Sequence, residues 1–155
     1  MSLTLASVLN GGSVVADARV DVRAQSGKIL VASEEIVAYD WRSHTITLAP
    51  GVRGWLLNAL HKGVLGDEPF VVAVGGKPIY EGSWRSLVMS SSRATPVIVL
   101  DAQMLDEGLG EEDVRISLGY PSEQFFKGAD PRGDRRIQEA LARGGKLKPQ
   151  RSRQE

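Results

Sequence analysis

The stretch Pro69-Phe70-Val71-Val72-Ala73-Val74-Gly75-Gly76-Lys77-Pro78-Ile79-Tyr80 constrains the fold more than any other part of the chain. Apolar β-formers fill both arms, and a glycine pair stands between them. A two-residue hairpin turn needs positive φ at its central positions, which glycine adopts without steric cost. The stretch therefore reads as strand, tight turn, strand. A hairpin joins antiparallel neighbours, so the middle of the chain holds an antiparallel pair rather than a βαβ unit.

The flanking sequence extends this pattern. Arg19-Val20-Asp21-Val22-Arg23 and His44-Thr45-Ile46-Thr47-Leu48 alternate polar with apolar residues, the two-residue period of a half-buried strand. Ile29-Leu30-Val31, Pro96 to Leu100 and Val114 to Leu118 read as further strands, and Ser33-Glu34-Glu35-Ile36 as a short helix start. Pro50 opens a helix that runs to Lys62, with Val52, Leu56, Ala59 and Leu60 on one face and Gly63 as the stop. Asp130-Pro131 caps a second helix that runs to Arg143 with Ile137, Ala140 and Leu141 as its stripe, and Gly144-Gly145 ends it. Strands and helices interspersed around a central hairpin predict an α+β fold. It is a single domain with a mostly antiparallel sheet and two main helices, at about residues 50–62 and 131–143. The length of 155 residues fits one core. Residues 1–17 read as a loosely ordered segment, 18–145 as the domain, and 146–155 as a basic, disordered tail too polar to fold alone.

Charge and composition exclude several classes of function. The chain holds 19 basic and 19 acidic residues, so no global field selects nucleic acid or an anionic membrane surface. The balance is uneven along the chain: residues 1–126 carry 10 basic and 15 acidic side chains, and residues 127–155 carry 9 and 4. Arg143, Lys146, Lys148, Arg151 and Arg153 have no aromatic residue among them, so the basic end offers no stacking platform and no specific nucleic-acid partner is expected. The absence of cysteine removes disulfides, thiol catalysis and thiolate metal sites. No apolar run approaches the ~20 residues of a membrane-spanning helix. The run from Leu3 to Leu9 has no Lys or Arg before it and is followed by Gly11-Gly12, so it does not read as a signal peptide.

Catalytic and ligand motifs are sparse. His44 and His61 stand 17 residues apart, a spacing that matches no metal motif, and no metal or cofactor is expected. Gly75-Gly76-Lys77 is followed by Pro78 and a strand, whereas a phosphate-binding loop needs Ser or Thr and a helix. The acidic loop from Asp101 to Asp113 lacks the alternation of a calcium-binding loop, and Ser90, Ser91 and Ser92 lack a nucleophile elbow. An enzyme reading, as a small hydrolase or a metal-dependent enzyme, draws on Asp40, His44 and Asp101. The competing reading is a noncatalytic module that binds another protein. Pro78 cannot donate to a strand ladder, which places the second hairpin arm at or near a sheet edge. Trp41, Trp55 and Trp84 read mostly as core. Tyr80, Trp84 and Met89, exposed on such an edge, form the expected binding face.

Ser33-Glu34-Glu35-Ile36, the strand His44 to Leu48, a helix, and the strand-turn-strand from Phe70 to Ile79 around Gly76-Lys77-Pro78-Ile79 follow one another in order. Over roughly residues 28–100 this order resembles the extracytoplasmic head subdomain of SecD-type translocase subunits. Gly75 stands where that family has the turn aspartate, no transmembrane helix accompanies the segment, and Trp84 and Gly119 to Lys148 have no counterpart. Tyr39-Asp40-Trp41, His44-Thr45-Ile46, Pro78-Ile79-Tyr80 and Gly119-Tyr120-Pro121 are also similar to segments of uncharacterised small bacterial proteins. The resemblance to the head subdomain implies a noncatalytic binding fold outside the cytoplasm.

Overall fold

The computed structural model describes residues 19–65 and 67–149. The segment 1–17 and residues 150–155, about which the sequence carries expectations, lie outside the described residues. The strands are β1 (Val20–Ala24), β2 (Ile29–Val31), β3 (Ile36–Asp40), β4 (Thr45–Leu48), β5 (Phe70–Val74), β6 (Lys77–Arg85), β7 (Arg93–Val99) and β8 (Asp113–Tyr120). Helix α1 (Val52–His61) lies between β4 and β5, and α2 (Arg135–Arg143) follows β8. The strands form one sheet in the order β2-β1-β5-β6-β7-β8-β4-β3, antiparallel except for β6 and β7. This is the single α+β domain that the sequence predicts.

The hairpin is where the sequence puts it. Gly75 and Gly76 have φ of 58° and 83°, and Val74 pairs with Lys77 across them. Positive φ at both central residues gives the turn the twist that the flanking strands require. The amide of Gly75 also donates to the carbonyl of Arg19, which ties the turn to β1.

The two edge strands, β2 and β3, are joined by only four residues, Ala32 to Glu35. Five Cα steps reach at most about 19 Å, whereas the edges of a flat eight-stranded sheet lie about 34 Å apart. The sheet is therefore curled back on itself, and its concave side encloses the core. Phe70, Ile36, Leu56, Ile98, Leu100, Ile116, Ile137 and Leu141 are fully buried there. Helix α2 packs its Ile137, Ala140 and Leu141 stripe against β5 and β1. Arg53 fixes α1 by donating to the carbonyls of Leu100 and Glu111.

Strand β6 makes the curl possible by changing partners. Residues from Lys77 to Gly82 pair with β5, and Ser83 to Arg85 pair with β7. A Cβ on Gly82 would stand 2.3 Å from Phe70 Cζ and 2.5 Å from the Pro96 carbonyl, so only glycine fits at the changeover. Pro78 lies in the half of β6 that β7 does not flank, which accommodates a residue without an amide hydrogen. The remainder of β6, Ser83 to Arg85, is flanked by β7 instead.

Two boundaries differ from the sequence reading. Pro131–Gly133 forms a separate 3-10 turn capped by Asp130, and α2 starts only after Asp134, whose Oδ1 accepts from the Arg136 amide at 2.9 Å. Both aspartates have cap chemistry, and the sequence pattern merged two turns into one helix. The ordered backbone also continues past Gly145, where the sequence reading ends the domain. The amide of Tyr39 donates to the Lys146 carbonyl at 2.8 Å, and the Lys148 amide donates to the Tyr39 carbonyl at 2.9 Å. Lys146 Nζ reaches the Ile36 carbonyl at 2.7 Å, and Leu147 packs on the core. Lys146 to Lys148 thus cover the outer edge of β3, using backbone groups that a polar composition does not reveal.

Candidate functional site

The three residues expected to form a binding face do not do so. Tyr80 and Trp84 are 9% and 6% exposed and belong to the core. Their side chains point into the curl, where Trp84 lies against Phe70 with ring centroids 5.1 Å apart. Met89 is partly buried, and its carbonyl accepts from the Tyr120 hydroxyl at 2.9 Å. The expectation failed because β6 leaves β5 after Gly82 and pairs with β7 at Trp84, whose ring packs on Phe70 in the core, so a proline in its first half did not set the exposure of its second.

Asp40, His44 and Asp101 do not converge. Asp40 and His44 share the β3–β4 turn, where Asp40 Oδ1 accepts from the Arg42 amide and His44 Nδ1 lies 2.9 Å from the Tyr39 hydroxyl. Tyr39, Trp41 and His44 form a compact aromatic group, with the Trp41 and His44 centroids 5.0 Å apart. Burial lowers the imidazole pKa, with a further push from the Arg132 charge, and raises that of the Tyr39 phenol. Asp101 is two strands away at the end of β7, where its Oδ1 accepts from the Leu87 amide at 2.8 Å. Among the described residues, no group of three His, Cys, Asp or Glu side chains stands close enough to hold a metal ion. Among the same residues, no helix is long and apolar enough to cross a membrane.

Two other surfaces have the features of a site. The first centres on Trp55, which is 52% exposed, contrary to the core reading of all three tryptophans. It stands at the border of the α1 stripe of Leu56, Ala59 and Leu60, one helical turn from Val52 and Ala59, and its ring is left half outside the core. Trp55 and Leu30 line two adjoining clefts, one with Val64 and Pro69, the other with Ile29, Pro50 and Val52. Ile29 and Val64 are 48% and 68% exposed beside it. Strand β2, which carries Ile29 and Leu30, pairs only with β1, so its outer flank has no strand partner among the described residues.

The second surface follows from the parallel pairing of β6 and β7. After Arg85 the chain must travel back before β7 can run beside β6 in the same direction, and Ser86 to Ser92 make that return. The return lays Ser91 against Arg85. Arg85 Nη2 donates to the Ser91 carbonyl at 2.6 Å and to its Oγ at 3.1 Å. Arg93 Nη1 donates to the same Oγ, also at 3.1 Å. Arg85 is 4% exposed, its guanidinium stacks 4.9 Å from the Tyr120 ring centroid, and its Nε has no acceptor among the described residues. Burial and the like charge of Arg93 lower its pKa. The sequence carried one signal for this site. From Trp84 to Met89 both alternating sets contain apolar residues, so neither face can be assigned to solvent, and Trp84, Arg85 and Ser86 are all buried.

Comparison of the chain with protein-family models, curated proteins and solved structures gives no match.

Proposed function

We propose that this chain is a noncatalytic binding module that engages another polypeptide through the clefts bordered by Trp55 and strand β2. The observation that carries the reading is a half-exposed tryptophan placed beside an edge strand with no outer partner among the described residues. An edge strand offers its backbone N–H and C=O groups to an extended segment, and adjoining apolar clefts accept that segment's side chains. Tryptophan is enriched among the residues that carry most of an interface's binding energy. The resemblance to the SecD-type head subdomain favours the same noncatalytic role and a location outside the cytoplasm.

Selection of peptides from a random library on the full chain tests this. The selected peptides should perturb the amide resonances of Ile29 to Val31 and the Trp55 indole. Trp55→Ala should weaken them by about 2 kcal/mol or more, the size of a binding hot spot, while leaving the melting temperature close to wild type. Selected peptides that bind Trp55→Ala unchanged would exclude this surface.

A further inference from the structure

We propose that the concavity around Arg85 and Arg93 is a binding site for the oxyanion group, carboxylate or phosphate, of a small ligand. Two guanidiniums converge there on neutral acceptors: the Ser91 hydroxyl accepts from both at 3.1 Å, the Ser91 carbonyl from Arg85 at 2.6 Å and the Ser92 carbonyl from Arg93 at 2.9 Å. Like charges brought together without an anion repel one another, and a buried charge is costly unless paired. Yet neither arginine takes part in an ion pair among the described residues. Of the other half-buried guanidiniums, Arg23, Arg115 and Arg132 each have an aspartate partner, and Arg53 donates to two backbone carbonyls. Arg85 is the most buried arginine of the chain's described part and lacks one.

The unsatisfied donor agrees with this. Arg85 Nε is buried without an acceptor, and an oxyanion supplies several acceptor lone pairs in the plane that a guanidinium favours. The concavity holds about 380 Å³ and has an apolar wall of Leu60, Trp84 and Val88. That is room for a small molecule rather than a chain. Asp67 and Glu68 also line it, both exposed, and their charges oppose a polyanion. The site therefore selects a ligand of low total charge.

The test uses the full chain, with sodium acetate and inorganic phosphate as probes and chloride as control at fixed ionic strength. Nitrogen-15 NMR follows the Arg85 Nε–H and the Ser91 amide. The expected result is a saturable shift with acetate, phosphate or both, and none with chloride. Saturation by acetate alone assigns a carboxylate, by phosphate alone a phosphate. Arg85→Lys, which keeps the charge but loses the planar fork, should abolish saturation. Should that variant fail to fold, Arg93→Gln and Ser91→Ala carry the test, each expected to weaken binding at least threefold with the circular dichroism spectrum unchanged. Shifts that rise linearly with both probes, or that persist unchanged in Arg93→Gln, would overturn the proposal.

Discussion

The hydroxyl of Tyr39 lies 2.9 Å from Nδ1 of His44, and this contact joins strand β3 to the end of the turn that opens β4. His44 adopts φ of 54°, an uncommon conformation for a residue with a side chain. Its imidazole packs edge-on against both the Tyr39 and Trp41 rings, and the position is 9% exposed.

The first prediction concerns acid. Burial lowers the His44 pKa below its ordinary 6.5, with Arg132 adding to the shift. In the unfolded chain the imidazole takes up its proton as pH falls through about 6.5, while the folded protein resists. The unfolded state then binds more protons, so stability is full above this range and declines as pH drops through it. One proton sets a limit of about 1.4 kcal/mol per pH unit. His44→Asn tolerates the same backbone and does not titrate. Denaturant melts of both chains between pH 7.5 and 5 should show a shallower decline for the variant. Parallel curves would mean that His44 titrates alike in the folded and unfolded chains, and its burial would then not shift its pKa.

The second concerns the core. Trp84→Ala removes a buried ring packed against Phe70 and should cost about 3–5 kcal/mol. A variant of wild-type stability would place Trp84 at the surface, as the binding-face reading required.

The third concerns the changeover in β6. Gly82→Ala puts a methyl group into the Phe70 ring and the Pro96 carbonyl. Overpacking of this kind costs about 1–3 kcal/mol, more where backbone must move. Thermal melting reads the loss. Gly76→Val, at φ of 83° but with open space around it, should cost about 1–2 kcal/mol through backbone strain alone. Equal tolerance of both substitutions would contradict the packing at Gly82.

What the sequence made legible was local. Gly75-Gly76 gave the hairpin because only positive φ closes so short a turn, and the Leu56, Ala59, Leu60 stripe gave α1 because helical period is a near-neighbour property. The parallel pairing of β6 with β7 was not legible, since it joins residues that meet only after the chain doubles back. That pairing buries Trp84 and creates the Arg85 concavity, so both the failed binding face and the missed site come from one long-range contact. Trp55 was not assignable, since it stands one helical turn from Val52 and Ala59 at the border of the α1 stripe, and the general tendency of tryptophan to be buried favoured the core.

The last prediction concerns the chain beyond Gly145. Composition argued that everything from Lys146 onward is dispensable, since Leu147 is the only apolar residue there. The structure ties Lys146 and Lys148 to Tyr39 by two backbone hydrogen bonds and seats Leu147 on the core. Each such bond contributes about 0.5–1.5 kcal/mol, and part-burial of a leucine about 1 kcal/mol more. A chain ending at Gly145 should therefore be less stable by about 2–4 kcal/mol than one ending at Pro149, which keeps these contacts. It should also expose the outer edge of β3, a template for pairing with a second chain. Denaturant melts read the first effect, and concentration-dependent light scattering reads the second. Leu147→Ala in the longer chain separates the two contributions, because it removes the side chain and leaves the backbone pairing in place. Equal stability of the two truncated chains would show that Lys146 to Lys148 lie on β3 without supporting it, and the composition argument would stand.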